Sequence, residues 1–174
     1  LPTVAPDAAW QALWTAASAP YRRSGRFAWH FARGKLTRDP VFRALLERGD
    51  LARAARIVDI GCGQALLASL LASAAEAQRA GRWPAAWPTT PQALLYTGVE
   101  LMPRDAARAE GALRSIVWPG STLAVQCADM RQATFPACDA VVILDVLHYV
   151  DHDAQAAVLR RVQGALQAGG PGGT

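Results

Sequence analysis

The chain has 174 residues, just over half of them hydrophobic, and a formal net charge of +4. That length fits one domain with a real core, although alanine supplies much of the apolar fraction. No apolar run approaches the 18 or more residues of a membrane span, and the opening residues lack a basic stretch followed by an apolar core, so no secretory signal is visible. Three cysteines without a C-x-x-C pair argue against a disulfide framework or a zinc site, and no metal ligand set is read. They fit a reducing cytoplasm, with Cys62, Cys127 and Cys138 read as small buried hydrophobes in or beside strands.

Residues 7–19 read as a helix with Trp10, Leu13 and Trp14 on one packed face, ended by Pro20. Phe27 to Phe31 form an aromatic cluster around His30, which Gly34 is expected to break. Asp39 and Pro40 read as N-cap and first residue of a further helix, stopped by Gly49. Residues 1–54 are thus a helical extension before the first strand. Residues 22–56 hold ten Arg and Lys side chains against three carboxylates. Such a surplus suits an anionic substrate or acidic carrier, but a solvated helical face is the favoured reading. No nucleic-acid motif interleaves these charges with aromatics, so a nucleic-acid partner is disfavoured.

Arg56 to Ile60 reads as a buried strand, Gly61-Cys62-Gly63 as a tight turn, and Gln64 to Arg79 as a helix. Glycine permits close backbone approach there, and a helix start presents free N–H groups. Alone, Gly-x-Gly is a weak signal. Gly81 to Pro91, with three prolines and two tryptophans, reads as a structured loop, either a lid or partner patch or, as favoured, a rigid cover on a strand edge. Strands follow at 93–99, closed by Glu100, at 121–127, and at 140–145, with a helix opened by Met102-Pro103 that carries Ile116. The 140–145 run is apolar throughout up to Asp145, as a parallel strand covered on both faces should be. Asp151 caps a last helix bearing Ala154, Val158, Leu159, Val162 and Leu166 and ending at Gly169-Gly170. The alternation predicts an α/β fold: a Rossmann-like, doubly wound, mainly parallel sheet with helices on both faces, in residues 55–174.

In such sheets ligands bind outside the carboxyl ends of the strands. Those ends carry Asp59, Glu100, Asp129 and Asp145-x-x-His148-Tyr149 in order. A carboxylate ending the second strand can accept both protons of a ribose diol. With these residues in place, the chain resembles a class I S-adenosylmethionine-dependent methyltransferase. Val58 to Ala65 resembles that family's first motif, Tyr96 to Leu101 the second, Cys127 to Met130 the adenine-binding stretch, and Cys138 to Tyr149 the fourth-strand motif. The resemblance spans about residues 56–170.

The resemblance implies S-adenosylmethionine as cofactor. Asp59, Gly61, Cys62 and Gly63 would hold its methionyl end and Glu100 the ribose hydroxyls. Leu101 and Met102 would pack on adenine beside Asp129 and Met130, with Asp129 accepting from the exocyclic amine. Asp145 would lie near the methionyl amino group and the substrate. His148 is the candidate base, Asp145 its catalytic neighbour, and His30 a weaker lid candidate. Strand four lacks the Asn-Pro-Pro-Tyr kind of motif and no Pro-Cys follows it, which favours a small-molecule or carrier-bound acceptor and O-methylation. A non-catalytic scaffold with the same fold is the alternative. An NAD(P)-dependent oxidoreductase is disfavoured because Leu66 replaces the third glycine of Gly-x-Gly-x-x-Gly. Ala65 stands where that methyltransferase family often has a glycine. Its members continue past the Gly-Gly into three more strands, so the apolar fourth strand is expected as an open edge, completed by a partner, a second copy or further chain.

Overall fold

The computed structural model describes residues 4–169. Its core is a four-stranded sheet of order β3-β2-β1-β4, formed by β1 (Arg56–Ile60), β2 (Leu95–Glu100), β3 (Thr122–Cys127) and β4 (Ala140–Ile143). All pairings are parallel, with Val58 opposite Thr97 on one side and Val141 on the other. β1 is central and buried from Ile57 to Ile60, which is why that run is apolar apart from Asp59. The chain moves from β1 outward to β3, then crosses back to place β4 on the opposite side of β1. The reversal opens a crevice between the carboxyl ends of β1 and β4, the topological switch point of a doubly wound sheet.

Among the described residues six α-helices surround the sheet: α1 (Pro6–Ser18), α2 (Arg26–Arg38), α3 (Pro40–Arg48), α4 (Leu66–Arg79), α5 (Pro103–Leu113) and α6 (His152–Gly169). Side-chain alternation along β1 divides the core. Ile57 packs with α1, α2, α4 and α5 in one cluster, together with Leu13, Tyr21, Leu36, Leu70 and Tyr96. Val58 and Ile60 pack on the other face with Cys138 and with Val158, Val162 and Ala165 of α6. The N-terminal helices therefore share one core with the sheet. α1 lies along α4, where Ser69 Oγ donates to the Ala17 carbonyl at 2.7 Å.

Several expectations hold. Asp39 caps α3 by accepting from the Val41 N–H at 3.1 Å, and Gly49 ends it in the left-handed region at φ 69°. α4 is buried almost all round. Asp151 Oδ1 accepts from the Ala154 N–H at the start of α6. The last helix is described only to Gly169, so its expected end at Gly170 lies outside the described residues.

Other expectations need correction. Gly34 does not break the second helix: Ala28, Ala32 and Leu36 are fully buried along one face of α2, and this packing outweighs the roughly 1 kcal/mol that glycine costs in a helix. α4 begins at Leu66, not Gln64, because Ala65 adopts a left-handed backbone at φ 58°. β4 stops at Ile143, and only Val142 in it is buried, since one of its edges has no strand beside it among the described residues. Leu159 and Leu166 are exposed at 47% and 37%; α6 turns Val158, Val162 and Ala165 inward instead. β2 begins at Leu95, and α5 ends before Ile116. Cys138 is buried, but Cys62 is half-buried and Cys127 exposed.

The Trp-Pro loop lies at the starting ends of the strands. Trp87 is buried, Trp83 meets it edge-on at 5.2 Å, and Trp83 Nε1 donates to the Pro88 carbonyl. Pro88 packs against Gly49, and Gln78 Oε1 accepts from the backbone N–H and hydroxyl of Thr90. The loop is therefore a brace, remote from the carboxyl edge, and not a lid over it.

Candidate active site

Two adjoining clefts open at the carboxyl edge of the sheet, sharing Gly61, Val146 and Tyr149. The first, about 640 Å³, lies between the glycine turn, the Ile143–Val146 segment and the N-terminal helices, which contribute Phe31, Lys35, Asp39, Val41 and Phe42. The second, about 480 Å³, lies over the end of β2 and is lined by Glu100, Leu101, Met102, Asp129, Met130 and Arg131. Both volumes fall in the usual range for small-ligand sites. The expected cofactor residues thus divide between them: Asp59, Gly61, Cys62, Gly63 and Asp145 line the first, and Glu100, Leu101, Met102, Asp129 and Met130 the second.

The glycine turn is tied to β2. The N–H groups of Gly61 and Cys62 both donate to the Val99 carbonyl, at 2.8 and 3.1 Å. Gly61 has φ 71°, and a Cβ there would lie 2.8 Å from Val146 Cγ2 and nearer still to Cγ1. No side chain fits between these segments. Gly63 has φ 56° with open space around it, as a loop facing a ligand requires.

Glu100 fixes the turn from below. Its Oε2 accepts from the Gly63 N–H at 2.8 Å and its Oε1 from the Met102 N–H at 2.7 Å. The carboxylate is 8% exposed, and each oxygen retains a lone pair for a further donor. Leu101 and Met102 beside it are 59% and 55% exposed, leaving an apolar shelf over the second cleft.

Asp59 is buried beneath the turn, where Tyr96 donates its hydroxyl to Oδ2 at 2.6 Å. Burial pushes the Asp59 carboxyl up to about 6, Glu100 adds to that rise, and the Tyr96 bond opposes it. The same burial raises the Cys62 thiol and the Tyr96 phenol, so both are neutral. Cys62 Sγ occupies the space a Cβ on Gly98 would need, 2.6 Å away. It is a filler here, not a nucleophile.

Asp129 is engaged by Arg131, whose backbone N–H and guanidinium both donate to it; these bonds hold its carboxyl below the usual range. Asp145 sits in the left-handed region at φ 56°, with its side chain 90% exposed and Oδ1 3.3 Å from His148 Nδ1. His148 stands at the rim, its ring tilted 40° against that of Tyr149 at 4.1 Å, and lines neither cleft, whereas Tyr149 lines both. His30 is exposed on the outer side of α2 against Trp29 and also lines neither.

Sequence reasoning missed several members. Tyr21, in the 3-10 turn of Ala19–Ser24, donates its hydroxyl to the Gln64 carbonyl at 2.7 Å, so the N-terminal extension buttresses the glycine loop. Gln64 is 2% exposed on the wall of the first cleft, and its Oε1 has no donor among the described residues. Tyr96 was findable: strand alternation puts Tyr96, Gly98 and Glu100 on one face. Lys35 and Phe31 were not, because their approach depends on how α2 crosses the sheet edge. The basic segment is largely internally engaged. Arg33 lies between the rings of Trp14 and Trp29, Arg43 pairs with Asp7 and Glu47, and Arg56 with Asp139.

A parallel sheet with this switch point, a glycine turn after β1 and a carboxylate ending β2 defines a Rossmann-like cofactor-binding fold. A methyltransferase-domain family matches residues 58–171, about two-thirds of the chain. The chain belongs to this family, the class I S-adenosylmethionine-dependent methyltransferases. No curated protein sequence matches it. Among solved structures, it is similar to magnesium protoporphyrin IX methyltransferase from Synechocystis PCC 6803 with bound SAM, with TM-score 0.50, 18% identity, and coverage of 90% of this chain and 71% of that one. A looser likeness links it to mitomycin 7-O-methyltransferase, at TM-score 0.45 and 24% identity, covering 95% of this chain and 52% of that one. Human N-acetylserotonin methyltransferase in complex with SAM gives TM-score 0.45 and 14% identity, covering 93% and 46%. The chain thus spans about half the length of the latter two.

Proposed function

We propose that this chain binds S-adenosylmethionine across the two clefts and directs its methyl group to an oxygen of a small acceptor, free or carrier-bound. The observation that carries this reading is the continuity of the clefts through Gly61, Val146 and Tyr149, with Asp59, Glu100 and Asp145 along them. The cofactor bears a sulfonium and an ammonium, and the residues present fit it. Glu100 has lone pairs left for the ribose hydroxyls, and Leu101 and Met102 offer adenine an apolar shelf. Asp129 and Met130 border that end, and an exocyclic amine would reach Asp129 only by displacing one of its Arg131 donors. Asp59, Asp145 and the unpartnered Gln64 Oε1 suit the cationic methionyl end.

The bound cofactor would supply an activated methyl and a neutral leaving group. The chain's own residues have mainly to align and to exclude water, and alignment contributes about 7–11 kcal/mol in favourable systems. Phe31, Val41, Phe42, Leu144 and Tyr149 wall the first cleft with apolar surface, which favours an apolar acceptor. Where the acceptor is a hydroxyl, His148 at the rim is the base. Asp145 Oδ1, 3.3 Å from its Nδ1, would orient the ring.

The test uses cofactor with a deuterated methyl group and paired aromatic acceptors that differ only in bearing a hydroxyl or an amine. Labelled methyl on oxygen, reduced at least about tenfold in His148→Ala, is the expected result. Label on nitrogen alone contradicts O-methylation, and undiminished turnover in His148→Ala removes that residue as base.

A further inference from the structure

The first cleft has one cation among its lining residues, Lys35, which is paired with Asp39 and shares the cleft with Asp59 and Asp145. Lys35 is also the only lysine in the chain. It sits one helical turn beyond Phe31 on α2, and Asp39 holds it: Asp39 Oδ2 lies 2.6 Å from Lys35 Nζ while its Oδ1 accepts from the Val41 N–H. Asp39 is therefore fixed at both oxygens, by the helix start on one side and by the lysine on the other. The ammonium has three donors and spends one of them on this pair. The Lys35 ammonium has no other hydrogen-bond partner among the described residues, and its side chain is 45% exposed.

A ligand carboxylate entering this cleft without Lys35 would meet only like charges. The strand side of the cleft thus carries Asp59 and Asp145, and the helix side the Lys35 ammonium, paired with Asp39 but with donors to spare. Gln64 adds a buried amide oxygen with no donor among the described residues. A group carrying an ammonium and a carboxylate on one carbon matches that polarity: the ammonium toward Asp59 and Gln64, the carboxylate toward α2.

We propose that Lys35 is the carboxylate-receiving group of this site. The inference rests on the methyltransferase reading, and the chemistry has two sources. One is the amino-acid end of the cofactor, which the polarity of the cleft favours; the other is an acidic acceptor lying against Phe31 and Tyr149. Lys35 acts by binding and orientation and moves no proton.

Calorimetry on the whole chain separates the sources. The ligands are S-adenosylhomocysteine, which keeps the amino-acid end, and 5′-methylthioadenosine, which lacks it. Lys35→Met is expected to weaken S-adenosylhomocysteine about five- to tenfold, as loss of a partly exposed charged contact does, leave 5′-methylthioadenosine unchanged, and be largely restored by Lys35→Arg. If both adenosine ligands bind the variant as they bind wild type, 2-naphthoate and 2-naphthamide are titrated into the S-adenosylhomocysteine complex. Selective loss of 2-naphthoate in Lys35→Met then assigns the carboxylate to the acceptor. Equal weakening of both adenosine ligands, or no selective loss in either arm, overturns the proposal while leaving the methyltransferase reading standing. Failure of wild-type protein to bind S-adenosylhomocysteine overturns both.

Discussion

Tyr96 donates its hydroxyl to Asp59 Oδ2 at 2.6 Å, and the pair is sealed in the core directly beneath the glycine turn. Charge at the floor of the first cleft is therefore set by the folded core and not by solvent. The consequence appears in the pH dependence of stability. Asp59 has an ordinary value of 3.8 and is pushed up to about 6 when folded, chiefly by burial. A carboxyl that holds its proton more tightly folded than unfolded contributes stability that is fully present below about 4 and is lost as pH rises through about 6. A shift of this size corresponds to about 3 kcal/mol. Asp59→Asn removes that titration. The stability of the variant relative to wild type, from urea unfolding, should rise between pH 4 and 7 by up to this amount. A pH-independent difference would show that Asp59 is not the group responsible. Cationic ligands favour the ionised carboxylate, so affinity for S-adenosylmethionine should fall as pH drops below 6 in wild type.

Gly61 has no room for a side chain because Val146 occupies the space. Gly61→Ala should destabilise the protein by about 2 kcal/mol or more, combining left-handed strain with overpacking. Val146→Ala should recover the overpacking part only, giving a coupling of about 1 kcal/mol in a double-mutant cycle measured by denaturant unfolding. Strict additivity would mean the two residues do not meet.

Arg161, on α6, reaches across to the loop after β3. Its Nη1 donates to the carbonyls of Met130 and Arg131 at 3.1 and 2.8 Å, and its Nη2 donates to that of Ala133. Its guanidinium lies 4.4 Å from the Phe135 ring centre. This clamp shapes the loop that brings Asp129 and Met130 to the second cleft. Arg161→Met should cost about 2 kcal/mol of stability. It should also weaken S-adenosylhomocysteine and 5′-methylthioadenosine alike, because both keep the adenosine end. Weakening of the first alone would place the effect in the other cleft.

The parts legible in the sequence were those encoded locally. The β1 apolar run, the two glycines after it and the Asp39-Pro40 helix start each carry their own signal within a few residues, and each lies where expected. Gly34 and Ala65 misled for the same reason in opposite directions. Local propensity would end a helix at Gly34, but burial of Ala28, Ala32 and Leu36 carries it through. Propensity would begin one before Ala65, but closure of the glycine turn forces that residue into the left-handed region. The Arg161 clamp joins residues about thirty positions apart and has no local signature. Lys35 reaches the cleft only because α2 packs over the sheet edge, a tertiary fact. Strand alternation, by contrast, already places Tyr96 on the same face as Glu100.

Glu100 ties the glycine turn to the end of β2, and we propose that it also receives the ribose of S-adenosylmethionine. Titration calorimetry of S-adenosylhomocysteine into wild type and Glu100→Ala tests it most directly, with thermal unfolding of both proteins run alongside. Saturable binding to wild type and a loss of at least about tenfold in the variant are expected, as removal of a charged hydrogen-bond partner should give. Unchanged affinity in a folded Glu100→Ala protein, or binding of NAD in place of S-adenosylhomocysteine by wild type, would contradict it.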